Sequence, residues 1–285
     1  MDLGLSILAS SIIFLLFKSF PIWKIDTLQA VIANYFIAFA CGMLLFQQHI
    51  PTTETLYIAL PLAVGCGILF ISLFILMGFS SQRNGVSTTS VAVKMSMALS
   101  VASIIIINAT PLNLVTVVSL ILALTGVFFV SFSKSSRDYG ASVWMLIVLF
   151  LGSACLDLVL FFVQNAWLPK NFHAGVFSAL GFLMAGFIGS IYLLIQLSLK
   201  KVHFHLKSWA AGIALGIPNY FSIYLLVKSY SSSNLEPHQV LSIANVGVVV
   251  LSSVVGLLLF NEQFDSKKWL GLSISLLALL LFLFS

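Results

Sequence analysis

Residues 236–281 read EPHQVLSIANVGVVVLSSVVGLLLFNEQFDSKKWLGLSISLLALLL, and this stretch decides the fold. An apolar run seeded with small residues, Ser242 to Phe260, stops at the polar turn Asn261-Glu262-Gln263-Phe264-Asp265. A second apolar run follows, with Gly271 near its start. Each run has about 20 residues, the length that crosses roughly 30 Å of hydrocarbon at 1.5 Å per residue. Gly, Ala and Ser let neighbouring backbones approach closely where no hydrophobic effect drives packing. The stretch predicts a helical hairpin built for lipid.

The pattern occurs twice. Val86 to Phe132 reads VSTTSVAVKMSMALSVASIIIINATPLNLVTVVSLILALTGVFFVSF. A shift of about 152 positions sets Ser90 on Ser242, Ala92 on Ala244, Ser100 on Ser252, Asn113 on Asp265 and Gly126 on Ala278. With a one-residue slip, Gly65, Phe70 and Ser80-Ser81 upstream fall on Gly216, Phe221 and Ser231-Ser232. The chain reads as two copies of one unit.

Composition bounds the class. Of 285 residues, 60% are hydrophobic and 7% charged, and the mean hydropathy is +1.13. A soluble domain carries about 25% charged residues, so this chain cannot clothe a water-exposed surface. The apolar runs are long and lack the alternation of barrel strands, so an all-helical membrane protein is expected. The net charge of +5 comes from basic residues placed singly or in pairs at segment ends, as membrane anchors are, and gives no nucleic-acid signal. Cys41, Cys66 and Cys155 sit in apolar segments without CxxC or metal spacing and read as small buried hydrophobes. The N-terminal MDLGLSILASSIIFLLFKSF lacks a basic n-region and a cleavage site, which predicts a retained first helix.

Ten segments are expected, at approximately 3–20, 27–46, 56–79, 85–107, 113–132, 142–163, 174–199, 206–230, 237–260 and 267–284. Connections are short, and none can hold a soluble domain. The expected organisation is a first five-helix repeat over 1–133, a linker over 134–141 and a second repeat over 142–285. An odd number of helices per copy makes the second copy enter the membrane the other way up. Inverted repeats of this kind are typical of secondary transporters, with substrate near the midplane between the halves. Lys18, Lys24, Arg83, Lys134, Arg137, Lys200, Lys201, Lys207, Lys267 and Lys268 lie in loops after odd-numbered segments, against Lys170 and nearby Lys228 on the other side. By the positive-inside rule the odd loops are cytoplasmic and both termini outside.

These residues carry a resemblance. Ten helices in two five-helix halves, each closing on the hairpin, resemble the drug/metabolite transporter superfamily and specifically its EamA-like branch. The closest match is VVVLSSVVGLLLFNEQFDSKKWLGLSISLLALLL, in which Asn261-Glu262 and Gly271 stand where the family's glutamate and glycine do. The first-half turn, Asn108-Ala109-Thr110-Pro111, departs from the family by lacking the repeated glutamate. The resemblance implies transport of small metabolites, often amino-acid export, across the bacterial plasma membrane. It also implies a cavity lined by helices three, four, eight and nine, and both termini in the cytoplasm, against the charge count.

Two charges lie deep in spans. Lys94 is about nine residues into segment four, where a lysine costs about 2.5–3.5 kcal/mol to insert, so it should face protein or a water-filled cavity. It reads as a counter-charge for an anionic substrate group or a gate pairing with a carboxylate, against a plain snorkelling lysine. Asp157 is about fifteen residues into segment six and reads equally as an ion-pair partner for Lys94 or a proton-coupling site. The two start from the same side, and their depths differ by about 9 Å.

Pro218-Asn219-Tyr220 with Tyr224 forms a second cluster, in segment eight, where proline interrupts the helix. Asn245 of segment nine lies beside the position equivalent to Lys94. Lys94, Asn219, Tyr220, Tyr224 and Asn245 form the expected substrate-binding set, the structural alternative being interhelical hydrogen bonding. Glu262, beside Lys267 and Lys268, reads as a structural or interfacial group and not a binding one, and Glu236 at the start of segment nine as a favourable charge at a helix N-terminus. His203 and His205 have no third ligand nearby, so no metal and no cofactor are expected. Gly212/Gly216, Ala63/Gly67, Gly181/Ala185 and Gly186/Ser190 read as close helix contacts.

The leading expectation is a secondary transporter of a small polar metabolite, acting as a monomer or homodimer with membrane lipid around it. Alternatives are a carrier of a phosphorylated sugar, nucleotide sugar or lipid-linked substrate, and a non-transporting membrane scaffold. An intramembrane enzyme is disfavoured, since HExxH, GxSxG and paired aspartates at helical spacing are missing from the sequence.

Overall fold

The computed structural model describes residues 1–45, 53–107, 114–133, 142–163, 167–168, 173–232 and 237–284. Among them stand ten helices: α1 Asp2–Ser19, α2 Thr27–Leu45, α3 Thr53–Arg83, α4 Val86–Ile107, α5 Leu114–Ser131, α6 Val143–Phe162, α7 Ala174–Ser198, α8 Leu206–Ser232, α9 Pro237–Phe260 and α10 Ser266–Leu281. All ten expected segments are helical over their described residues, because a backbone in hydrocarbon must satisfy its own amides within the segment. Nine of the described helices are long and apolar enough to cross a membrane, and α10 continues into a 3-10 turn over Phe282–Phe284. Large apolar side chains cover the outside, among them Trp144, Ile191, Leu194, Leu258 and Leu259. A water-soluble monomer rarely exposes such a surface, and lipid suits it. This is a multi-pass helical membrane protein.

Helix ends follow local chemistry. Asp265 caps α10 by accepting from the Lys268 amide at 2.9 Å, and Asp26 accepts from the Gln29 amide at 2.9 Å at the start of α2. Lys200 takes a positive φ of 54° after α7, and the Lys201 amide reaches back to the Gln196 carbonyl at 3.0 Å. Asn261 does the same after α9, at φ 50°, while the Glu262 amide bonds the Gly256 carbonyl at 3.0 Å.

The helices gather into two compact units, each drawing on both halves of the chain. The first holds Met1–Ser19, Leu76–Cys155 and Ser222–Ser285; the second holds Phe20–Ile75 and Leu156–Phe221. The expected linker over 134–141 lies outside the described residues, as do Asn108 to Asn113 and Glu236.

In the first unit α4 packs against α9 and α5 against α10. The Ser252 hydroxyl donates to Ser90 Oγ at 2.6 Å, and Asn245 Nδ2 contacts Met97 Sδ at 3.0 Å, so α4 and α9 run antiparallel. At the α5–α10 contact a Cβ on Gly271 would meet the Val130 amide nitrogen at 2.7 Å and the Gly126 carbonyl at 2.9 Å. One on Gly126 would meet the Ser275 nitrogen at 2.9 Å. Only glycine permits this approach.

In the second unit α2 packs antiparallel on α7, with Gly42 against Ala179, Gly186 against the Phe36 ring and Gly189 against Ile32. Tyr35 anchors the core, donating to the Phe70 carbonyl at 2.7 Å among the rings of Phe70, Phe74 and Phe182. Gly212 lies against Ala30 and Ala33, and Gly216 against Asn34 and Ile37, so α2 and α8 run parallel. The small-residue spacings of α3 and α7 also mark contacts, with Gly67 against Met184 and Gly181 against Phe70. In both units the antiparallel partners α2/α7, α4/α9 and α5/α10 stand five places apart in chain order.

The cysteines correct one expectation. Cys66 is buried, Cys41 is partly buried and Cys155 is exposed. The outer face of a membrane helix meets lipid, so a small apolar side chain need not turn inward.

Candidate functional site

Three of the expected site residues fall in the first unit. Lys94 sits half-buried in the middle of α4. Met97 is three residues further on and therefore shares its helix face. Asn245 of α9 is buried and contacts Met97, which places it beside the face of α4 that carries Lys94. Tyr224, also half-buried, is on the part of α8 in this unit, where the Ser222 carbonyl accepts from Ser6 of α1 at 2.6 Å.

The other three fall in the second unit. Asn219 is buried and its Nδ2 donates to Asn34 Oδ1 at 3.1 Å. Pro218 leaves α8 unbroken but removes the amide that would reach the Ala214 carbonyl. Tyr220 is buried with its ring edge against Gly42, and Asp157 on α6 is exposed.

The densest polar constellation lies at the α3–α4 and α9–α10 turns of the first unit, around Glu262. One carboxylate oxygen accepts from the Val86 amide at 2.5 Å. The other accepts from the Ser87 hydroxyl at 2.7 Å and from Lys268 Nζ at 3.3 Å. Glu262 and Lys268 are both buried, at 9% and 2% exposure, so they form an ion pair largely withdrawn from solvent. The Lys268 ammonium also lies 4.3 Å from the centroid of Phe264.

The carboxylate fits because two neighbours lack side chains. A Cβ on Gly85, which has φ +92°, would come within 2.7–2.9 Å of the carboxyl group. One on Gly256 would come within 2.9–3.4 Å. The positive end of the α4 dipole and Lys268 together compensate its charge.

From Glu262 the network continues inward. Ser90 donates to the Ser87 carbonyl at 2.9 Å and receives Ser252 from α9. Asn84 donates to Ser80 Oγ at 2.9 Å and accepts from the Ser142 amide at 2.8 Å, tying the α3–α4 turn to the start of α6. Lys18 of α1 donates to the Gln82 carbonyl at 3.0 Å. Chemically this is a fastening of six helix ends, those of α1, α3, α4, α6, α9 and α10.

Sequence reasoning placed Glu262 as structural but missed its partners, and counted Lys268 as a loop cation although it is buried in α10. It also passed over Asn34 and Gln29, both fully buried polar side chains of α2. The available signal was an amide side chain inside an apolar span, which must find a partner in protein.

No family model matches the chain. A relative from Haemophilus influenzae, described as an uncharacterized protein, is 29% identical over 260 residues, covering 88% of this chain and 86% of that one. A solved crystal structure with no functional description aligns at TM-score 0.58 and 13% identity, over 97% of this chain and 96% of its own. At that identity the likeness is one of fold, and it extends over nearly the whole molecule.

Proposed function

We propose that this protein is a secondary transporter of the EamA-like branch of the drug/metabolite transporter superfamily. It exports a small polar metabolite, an amino acid or a related compound, across the bacterial plasma membrane by alternating access of two inverted five-helix halves. The observation that carries the reading is the antiparallel pairing of helices five places apart, α2 with α7, α4 with α9 and α5 with α10. Two copies of a five-helix unit inserted in opposite senses would generate such pairs. In this reading Lys94 is the counter-charge for the substrate's anionic group, and Asn245 supports it from α9. Tyr224 lines the path on α8, while Asn219 and Tyr220 on the same helix are further candidates and Asp157 is a candidate proton site.

The test is thermal stability of the detergent-purified protein against metabolites at two pH values. A ligand that binds only the folded state at a hundredfold excess over its Kd stabilises by about 2.7 kcal/mol. The expected result is a selective shift for one chemical class, abolished in Lys94→Ala while the unliganded melting point stays. No shift with amino acids, or a shift unaffected at Lys94, overturns the reading. A shift with sugar phosphates favours the second reading, a carrier of phosphorylated compounds, in which the same half-buried lysine meets phosphate.

A further inference from the structure

The second unit holds an arrangement that the transport reading does not use. The turns before α2 and before α8 are stitched into one rim. The buried Gln29 side chain donates to the His203 carbonyl at 2.7 Å and accepts from the His205 amide at 2.9 Å. The Asp26 amide donates to Ser208 Oγ at 2.9 Å, and Lys207 Nζ donates to the Trp23 carbonyl at 3.0 Å. Lys24, Lys200, Lys201 and Lys207 are all exposed on this rim, as are His203 and His205. Its single acidic residue, Asp26, is half-buried, with one carboxylate oxygen engaged by the Gln29 amide. Trp23 and Phe204 are exposed between the lysines, as aromatic residues are at a bilayer interface.

Directly below the rim, the parallel helices α2 and α8 leave a groove of about 250 Å³. Leu206 lies at its mouth, and its walls are the wholly apolar contacts of Phe36, Ile37, Trp209 and Ile213. Ala33 and Ala210 are too small to fill it. From Leu206 to Ile213 the groove descends seven residues of helix, about 10 Å, which is the depth of the upper acyl chain beneath a headgroup.

We infer that the rim and groove form a binding site for an anionic glycerophospholipid. The phosphate sits among Lys24, Lys200, Lys201 and Lys207, and the first part of one acyl chain lies between α2 and α8. The charge selects the headgroup, because four exposed lysines against the single carboxylate of Asp26 leave the rim net positive, which favours a net negative lipid over a zwitterionic one. The groove distinguishes a lipid from a free anion. This inference is independent of which substrate the protein carries.

The experiment measures binding to the full-length, delipidated protein in detergent by native mass spectrometry and melting. The probes are phosphatidylglycerol, phosphatidylcholine of the same chains, and inorganic phosphate. Expected is about tenfold tighter binding of phosphatidylglycerol than of phosphatidylcholine, and no stabilisation by phosphate. Lys200→Gln with Lys201→Gln, which leaves the Lys207–Trp23 bond intact, should bring the two lipids within about twofold of each other. Ala210→Phe, at an exposed position in the groove wall, should weaken both lipids without lowering the melting point in detergent alone. Equal binding of the two lipids, or a preference that survives the double lysine variant, overturns the site. Stabilisation by phosphate equal to that by phosphatidylglycerol also overturns it, in favour of a simple anion site.

Discussion

Glu262, on the turn after α9, accepts a 2.7 Å hydrogen bond from the Ser87 hydroxyl on the first turn of α4, although 175 positions separate them. Together with the Val86 amide contact, this makes Glu262 the capping group of a helix in the other half of the sequence. Caps are ordinarily local, supplied by the residue just before the helix. Here Gly85 occupies that place and has no side chain to offer, so the carboxylate comes from outside.

Removing either partner of the buried pair should be costly, because the survivor keeps a charge away from water. Glu262→Ala or Lys268→Ala should each lower stability by about 3–5 kcal/mol. The double substitution should cost well below the sum, and a double-mutant cycle by unfolding in mixed micelles measures the coupling. Strict additivity would mean that the two side chains do not interact in the membrane.

Gly85 and Gly65 should behave oppositely. Gly85→Ala introduces a Cβ at φ +92° against the Glu262 carboxylate, combining about 1–2 kcal/mol of backbone strain with displacement of the cap. Gly65 has open space around it within α3, so Gly65→Ala should leave the melting point unchanged or slightly raised. Equal melting points for the two variants would contradict the packing at Gly85.

Cysteine cross-linking tests the repeat. Under the shift of about 152 positions, the pair Ser90/Ser252 maps onto Ser242/Ser100. In a background lacking Cys41, Cys66 and Cys155, Ser90→Cys with Ser252→Cys should cross-link on mild oxidation, since the native hydroxyl oxygens are 2.6 Å apart. Ser100→Cys with Ser242→Cys should do so as well if the halves are equivalent. Linkage at the first pair alone counts against that equivalence.

Gly216 sets how closely α8 lies against α2. Gly216→Val places a branched side chain where the first carbon alone would meet Ile37 Cβ at 2.7 Å and the Asn34 carbonyl at 2.8 Å. Overpacking of this kind costs about 1–3 kcal/mol and should also disturb the Asn219–Asn34 hydrogen bond. The melting point of Gly216→Val should therefore fall below that of an exposed lipid-facing control such as Val254→Ile.

The ten helices were legible because hydropathy reports which backbone must bond to itself, and that depends only on the residues within each segment. The turn at Asn261–Asp265 was legible for the same reason, as a polar break between apolar runs. Other features depended on partners far along the chain. Glu262 alone carries no sign that it reaches Ser87. The shift aligned Ser90 with Ser242 and Ser100 with Ser252, whereas the hydrogen bond joins Ser90 to Ser252 across the crossing of α4 and α9. The interleaved units were invisible because three of the ten helices, α3, α6 and α8, pass from one unit into the other without any change in composition. Asn34 was overlooked because one asparagine among apolar residues looks like a tolerated substitution until Asn219 is placed beside it.

The long reach of Glu262 also sets a clock on synthesis. The Val86 amide waits through 176 positions of translation for its carboxylate, roughly 9–35 s at about 5–20 residues per second. Until then water or the insertion machinery must serve the exposed first turn of α4. A chain cut short anywhere before residue 262 retains that unfinished end. A single late-arriving side chain thus distinguishes a complete molecule from a nascent or truncated one.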